Sequence, residues 1–147
     1  MRNDSRIFAL FGNPVAQSLS PLMHEAAFRG MKINASYRAL QVEHAGDILG
    51  KMEALDIEGA SITIPHKTGI MPYLSAISDS AARIGAANTV TRVDGRLQGD
   101  NTDWTGLVRA LSEVLEIRGK NSPSWAREGP RGPPCTAFSM RGESPPL

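Results

Sequence analysis

Two residues of this chain are suited to moving a proton: Lys67 in "SITIPHK" and Asp103 in "GDNTDWTG". A lysine can hold or pass a proton when a charged neighbour tunes it, and a carboxylate is such a neighbour. A second group of residues is suited to holding a ligand. "NPVAQSLSP" sets Ser18 and Ser20 just before a predicted helix, where hydroxyls and free N–H groups favour an anion such as a carboxylate. Thr63 offers a hydroxyl two residues before Pro65, and Asn88 in "GAANT" offers an amide to a substrate hydroxyl. Each residue also has a plainer reading. Ser20 alone is an N-cap, Lys67 a solvated charge, Thr102 or Asp103 a cap, and Asn88 turn chemistry. His24, His44 and His66 lack metal-ligand spacing and are assigned no role, so no metal site is expected.

These residues must be positioned by the elements around them. "RIFALFG" reads as a short apolar strand ending at Gly12. "SPLMHEAAFRG" reads as a helix with Ser20 as N-cap, Pro21 at its first position and Gly30 at its close. "NASYRALQV" is the next strand, and "AGDILGKMEAL" a helix with Ile48, Leu49, Met52 and Leu55 on one face. "GASITIP" is a third strand, and "SDSAARIGA" a short helix capped by Ser78 or Asp79. "TVTRVDGRLQG" is a hairpin turning on Asp94-Gly95, a favoured type I′ pair. "DWTGLVRALSEVLE" is an amphipathic helix aligning Leu107, Val108, Leu111 and Leu115. The alternation predicts an α/β fold: a mostly parallel sheet with an antiparallel edge hairpin and helices on both faces. Ligands of such sheets bind outside the carboxyl ends of the strands, where Lys67 falls.

Composition excludes several functions. The chain has 147 residues, 41% hydrophobic and 21% charged, with a net charge of +1, which suits one ordinary globular domain. Before residue 121 the basic and acidic residues balance, so nothing favours nucleic acid or an anionic membrane. Cys135 is the sole cysteine, which excludes an internal disulfide and suits a reducing cytoplasm. The first apolar run, "IFALF", is too short for a signal sequence or a membrane span.

Taken in order, "NPVAQSLSPLMH", "SITIPHK", "IGAANT" and "GDNTDWTG" resemble the substrate-binding domain of the shikimate dehydrogenase family over about residues 6–118. The resemblance implies reversible reduction of 3-dehydroshikimate with NADPH, NADP as cofactor, and shikimate-like small molecules as the ligands. It implies that Ser18 and Ser20 hold the substrate carboxylate, and that Thr63, Asn88, Lys67 and Asp103 meet the ring hydroxyls. Lys67 and Asp103 are then the catalytic pair, with lysine the acid/base group. Asp79 falls on a position that can touch the cofactor. One departure lies inside the motif: many relatives have Asn where this chain has Ser61. Two alternatives stay open, a quinate/shikimate enzyme of broader specificity and a fragment that binds such acids without turnover. Oligomeric state is not encoded in these motifs.

The pattern stops near Asn121. Residues 121–147 hold six of the ten prolines and no helical or strand period, so 1–118 is expected to be a substrate-binding domain and 119–147 an aberrant, disordered tail. No glycine-rich turn between strand and helix marks a dinucleotide site there, and the usual second Rossmann domain is missing. A frameshift is the expected cause. In the frame one nucleotide back, the codons for Ser122 to Cys135 permit "LALVGAGGAARAAV", with the first glycine forced by Trp125 and Ala126. That run has the form of a dinucleotide fingerprint, and the nucleotide sequence past codon 121 decides the matter. The rival account is a short protein with its own tail.

Overall fold

A computed structural model of the chain describes residues 5–114. It divides into two units, residues 1–105 and 106–147. The first unit carries six strands, β1 (Arg6–Gly12), β2 (Ala35–Gln41), β3 (Ile57–Ile62), β4 (Ala76–Ile77), β5 (Thr89–Val93) and β6 (Arg96–Asp100). The helices are α1 (Ser20–Met31), α2 (Asp47–Ala54), α3 (His66–Gly69), α4 (Asp79–Ile84) and α5 (Thr102–Val114), with a 3-10 turn over Met71–Tyr73. Leu115, aligned with the last helix by its spacing, and the tail from residue 119 lie outside the described residues.

The strands form one sheet in the order β2-β1-β3-β5-β6-β4. β1 pairs parallel with β2 and β3, and β4 with β6, while β3–β5 and β5–β6 are antiparallel. The α/β sheet with its antiparallel hairpin is therefore present, but the hairpin is not the edge. The two-residue β4 lies beyond it, too short to carry a strand period of its own.

Alternation along β1 sends its residues to two cores. Ala9 and Phe11 join Ile48 and Met52 of α2, together with Val42, Ile57, Ala60, Ile62, Ile70 and Val90. Leu10 joins Val15 and Tyr37 on the opposite face, with Phe8 and Phe28 of α1 packed against them. Phe11, Ile48, Met52, Ile57 and Ile62 are wholly buried, each contributing roughly 1.5–3 kcal/mol of transfer free energy. The predicted face of α2 divides: Ile48 and Met52 are buried, Leu49 packs against the core, and Leu55 is partly exposed past the helix end.

Local chemistry corrects several expected boundaries. Leu19 rather than Ser20 is the N-cap residue of α1, so Pro21 is its second helical residue rather than its first. Gly30 does not close α1, which runs on to Met31 and ends at Lys32 in the left-handed region with φ 54°. α4 begins as expected, with Ser78 Oγ accepting from the Ala81 N–H. Asp94 and Gly95 both have positive φ, 50° and 75°, as a type I′ turn requires. In the second unit, Ser112 Oγ on α5 donates to the Val108 carbonyl at 2.7 Å. Among the described residues, no helix is long and apolar enough to cross a membrane.

Candidate active site at one end of the sheet

Strand direction gathers the candidate residues. β1 and β3 are parallel, so the segments leaving them, Gly12 to Ser20 and Thr63 to Lys67, emerge at the same end. β5 runs against β3 with Ser61 opposite Thr89, which puts Asn88 beside the exit of β3. β6 runs against β5 with Asp100 opposite Thr89, which brings Asp103 to that end too.

The ends are tied tightly. The Thr63 N–H donates to the Phe11 carbonyl at 2.8 Å, and the Asn13 N–H to the Ile64 carbonyl at 2.9 Å. A Cβ on Gly12 would lie 2.3 Å from Thr63 Cγ2 and 3.0 Å from the Ile64 carbonyl oxygen, so only glycine allows this approach. Thr63 sits just past β3 rather than within it, and Lys67 lies in the four-residue α3.

Lys67 Nζ donates to Asp103 Oδ2 at 2.6 Å. That bond is the main reason the Asp103 carboxyl is held below the ordinary carboxylate range; partial burial opposes it, and Asn88 adds a further hydrogen bond. The Lys67 carbonyl accepts from the Ala87 N–H at 2.8 Å, which fixes the lysine beside the segment that carries Asn88. Asn88 is buried, and its amide oxygen accepts from the Thr102 N–H at 2.9 Å and from the hydroxyls of Thr89 and Thr102. Its oxygen is consumed by the fold, so it can offer a ligand or Asp103 only its N–H groups.

Asp103 is free to face Lys67 because neither it nor Thr102 caps α5. Asn101 does, with Oδ1 accepting from the Trp104 N–H at 3.1 Å and Nδ2 donating to the Ala86 carbonyl at 2.9 Å. Asp100 Oδ1 accepts from Ser78 Oγ at 2.6 Å, Ser80 Oγ at 2.9 Å and the Asn101 N–H at 2.7 Å. Those bonds, led by Ser78, lower its pKa. Sequence reasoning passed over both residues. The "GDN" ahead of the helix was the available signal, since Asn is as good an N-cap as Asp.

Ser18 and Ser20 form a separate group. Their hydroxyls are 3.1 Å apart, Ser18 Oγ also accepts from the Ser20 N–H at 3.2 Å, and both side chains are half-buried. The structure thus brings Lys67, Asp103 and Asn88 into one network and Ser18 and Ser20 into another, at the same end of the sheet. Thr63 lies against the exit of β1. Asp79, exposed in the first turn of α4, hydrogen-bonds to neither group. Ser61 accepts a 2.8 Å hydrogen bond from the Tyr37 hydroxyl, whose pKa burial pushes up. The histidines lie in three different settings: His24 stacks on Tyr37 at 4.1 Å, His44 is exposed, and His66 is buried. Among the described residues, no three His, Cys, Asp or Glu side chains gather as a metal site.

A family profile described as "Shikimate dehydrogenase substrate binding domain" matches residues 10–90. A shikimate dehydrogenase (NADP(+)) of Geobacillus sp. (strain WCH70) is 48% identical over 114 residues, covering 76% of this chain and 41% of the relative. The crystal structure of shikimate 5-dehydrogenase from Thermus thermophilus with NADP(H) and shikimate superposes with a TM-score of 0.67 at 38% identity, over 74% of this chain and 42% of that one. A 5-ketofructose reductase of Gluconobacter sp. strain CHM43, in its ligand-free form, gives 0.70 at 31% identity, over 76% and 41%. The chain spans about two-fifths of the length of the relatives it matches. It belongs to the family of shikimate dehydrogenase substrate-binding domains.

Proposed function

We propose that this chain is the substrate-binding half of an NADP-dependent shikimate dehydrogenase, an oxidoreductase that interconverts 3-dehydroshikimate and shikimate. The observation that carries the reading is the 2.6 Å contact between Lys67 Nζ and Asp103 Oδ2, at the end of the sheet where such folds bind ligands. Reducing a ketone requires a proton on oxygen as well as hydride on carbon, so an acid must lie within hydrogen-bond reach of that oxygen. Lys67 supplies the proton and recovers it in the reverse direction, while Asp103 accepts its hydrogen bond and holds it in place. Ser18 and Ser20, at the start of α1, hold the substrate carboxylate. Thr63 and the Asn88 N–H groups meet ring hydroxyls.

The hydride has to come from a nicotinamide cofactor, because no side chain provides one. The described residues do not fit the dinucleotide. The turn after β1 runs Gly12-Asn13-Pro14, and the turn after β3 runs through Pro65; neither is a glycine-rich phosphate cradle. Asp79 is an anion at an exposed helix start, suited to a neutral part of a cofactor and not to its phosphates. We read residues 119–147 as standing, out of frame, where the dinucleotide-binding domain belongs.

The test is a pair of measurements on this chain. NADPH oxidation with 3-dehydroshikimate should give no appreciable turnover, whereas calorimetric titration with shikimate should give weak, saturable binding. Binding should weaken in the double variant Ser18→Ala and Ser20→Ala. Clear turnover by the chain alone would refute the half-site reading, and absence of any shikimate binding would refute the substrate assignment.

A further inference from the structure

We propose that His66 is a positioning residue, its ring fixing the turn that aims Lys67 at Asp103. The inference rests on the reading of Lys67 as the proton-transfer group. Among the described residues, three polar side chains are buried: His66, Asn88 and Asn101. Asn88 and Asn101 each hold part of the Asp103 side of the site, through Thr102 and the first turn of α5. His66 immediately precedes Lys67 and is 4% exposed.

Its Nε2 lies 2.9 Å from the Val42 carbonyl oxygen. A carbonyl only accepts, so Nε2 carries the proton that makes this bond. Val42 directly follows β2, and its own N–H donates to the Gly12 carbonyl at 3.2 Å. In the sheet β1 lies between β2 and β3, so the ring ties the exit of β3 to the exit of β2 across the strand between them. On the other side, the Lys67 carbonyl is tied to the Ala87 N–H. α3, with only four residues, has little helical stability of its own and depends on such ties. A residue that merely filled this space would be apolar, because a buried imidazole without a hydrogen bond is costly.

The experiment uses the whole 147-residue chain and the variants His66→Phe, His66→Met and His66→Gln. The Asp103 carboxyl carbon is titrated by NMR, and shikimate binding is measured in parallel. Phe and Met fill the space without the hydrogen bond, whereas Gln keeps an N–H about as far from the backbone as imidazole Nε2. In folded Phe and Met variants the Asp103 midpoint should rise by about half to one pH unit. Shikimate affinity should fall about fivefold in both. The Gln variant should restore both readouts. An unchanged Asp103 midpoint in a folded Phe or Met variant overturns the proposal, as does a Gln variant no better than Phe. So does loss of the fold in both apolar variants, which would make His66 a core residue only. Failure of the unaltered chain to bind shikimate would count against the proposed function, while the Asp103 midpoint would still decide the role of His66.

Discussion

Lys67 and Asp103 are 36 residues apart in the chain and in hydrogen-bond contact in the fold. Their side chains are 34% and 59% exposed, so solvent screens the pair and its share of folding stability stays below about 1 kcal/mol. The pair matters through protonation state. Asp103 has a folded pKa below its unfolded one, so its contribution is present above the ordinary carboxylate range. It is lost as pH falls through the depressed folded value. An NMR titration of Asp103 should therefore give a midpoint below that of an ordinary aspartate. In Lys67→Met the midpoint should return toward the ordinary value, with the global unfolding free energy changed by less than about 1 kcal/mol. A midpoint that ignores the lysine would mean that the contact does not persist in solution.

The elements that carry these residues were legible to different degrees. Ile48 and Met52 repeat at helical spacing, so α2 followed from periodicity, whereas β1 showed only as the apolar run Ile7 to Phe11, whose division between two cores the fold supplies. Asp94-Gly95 fixed the hairpin by turn chemistry alone. The two-residue β4 and the four-residue α3 had no such signal, because neither is long enough to show a period. The cap of α5 was misplaced for a different reason. Asn101, Thr102 and Asp103 are all competent caps, and the choice among them depends on which side chains have partners elsewhere. Asp103 is drawn to Lys67 and Thr102 to Asn88, which leaves Asn101 for the Trp104 N–H. Replacing Asn101 by Ala removes that cap and the hydrogen bond to Ala86, at a cost of about 1–2 kcal/mol. Urea unfolding should show a lower midpoint at unchanged slope, and an unshifted midpoint would contradict this account of the helix start.

At the scale of the chain, fold and substrate separate. The matched structures include a shikimate dehydrogenase and a 5-ketofructose reductase, so the sheet alone does not choose the ligand. Shikimate carries a carboxylate that 5-ketofructose lacks, and on the proposed reading the Ser18–Ser20 pair at the start of α1 is what meets it. On the same proposed reading the chemistry of the ketone is separate again, and falls to Lys67. A chimaera can isolate the two. Residues 1–114 would be joined to that part of the Geobacillus relative which the match leaves uncovered, more than half of its length. The fusion should oxidise NADPH with 3-dehydroshikimate, which the present chain should not. In it, Lys67→Ala should lower kcat about 10²- to 10⁴-fold, the usual worth of a positioned acid. The double change Ser18→Ala and Ser20→Ala should instead act mainly on KM, since a carboxylate anchor remote from the carbonyl binds substrate and transition state alike. Equal losses of kcat in both variants would place the serines in the chemistry and overturn this division of labour.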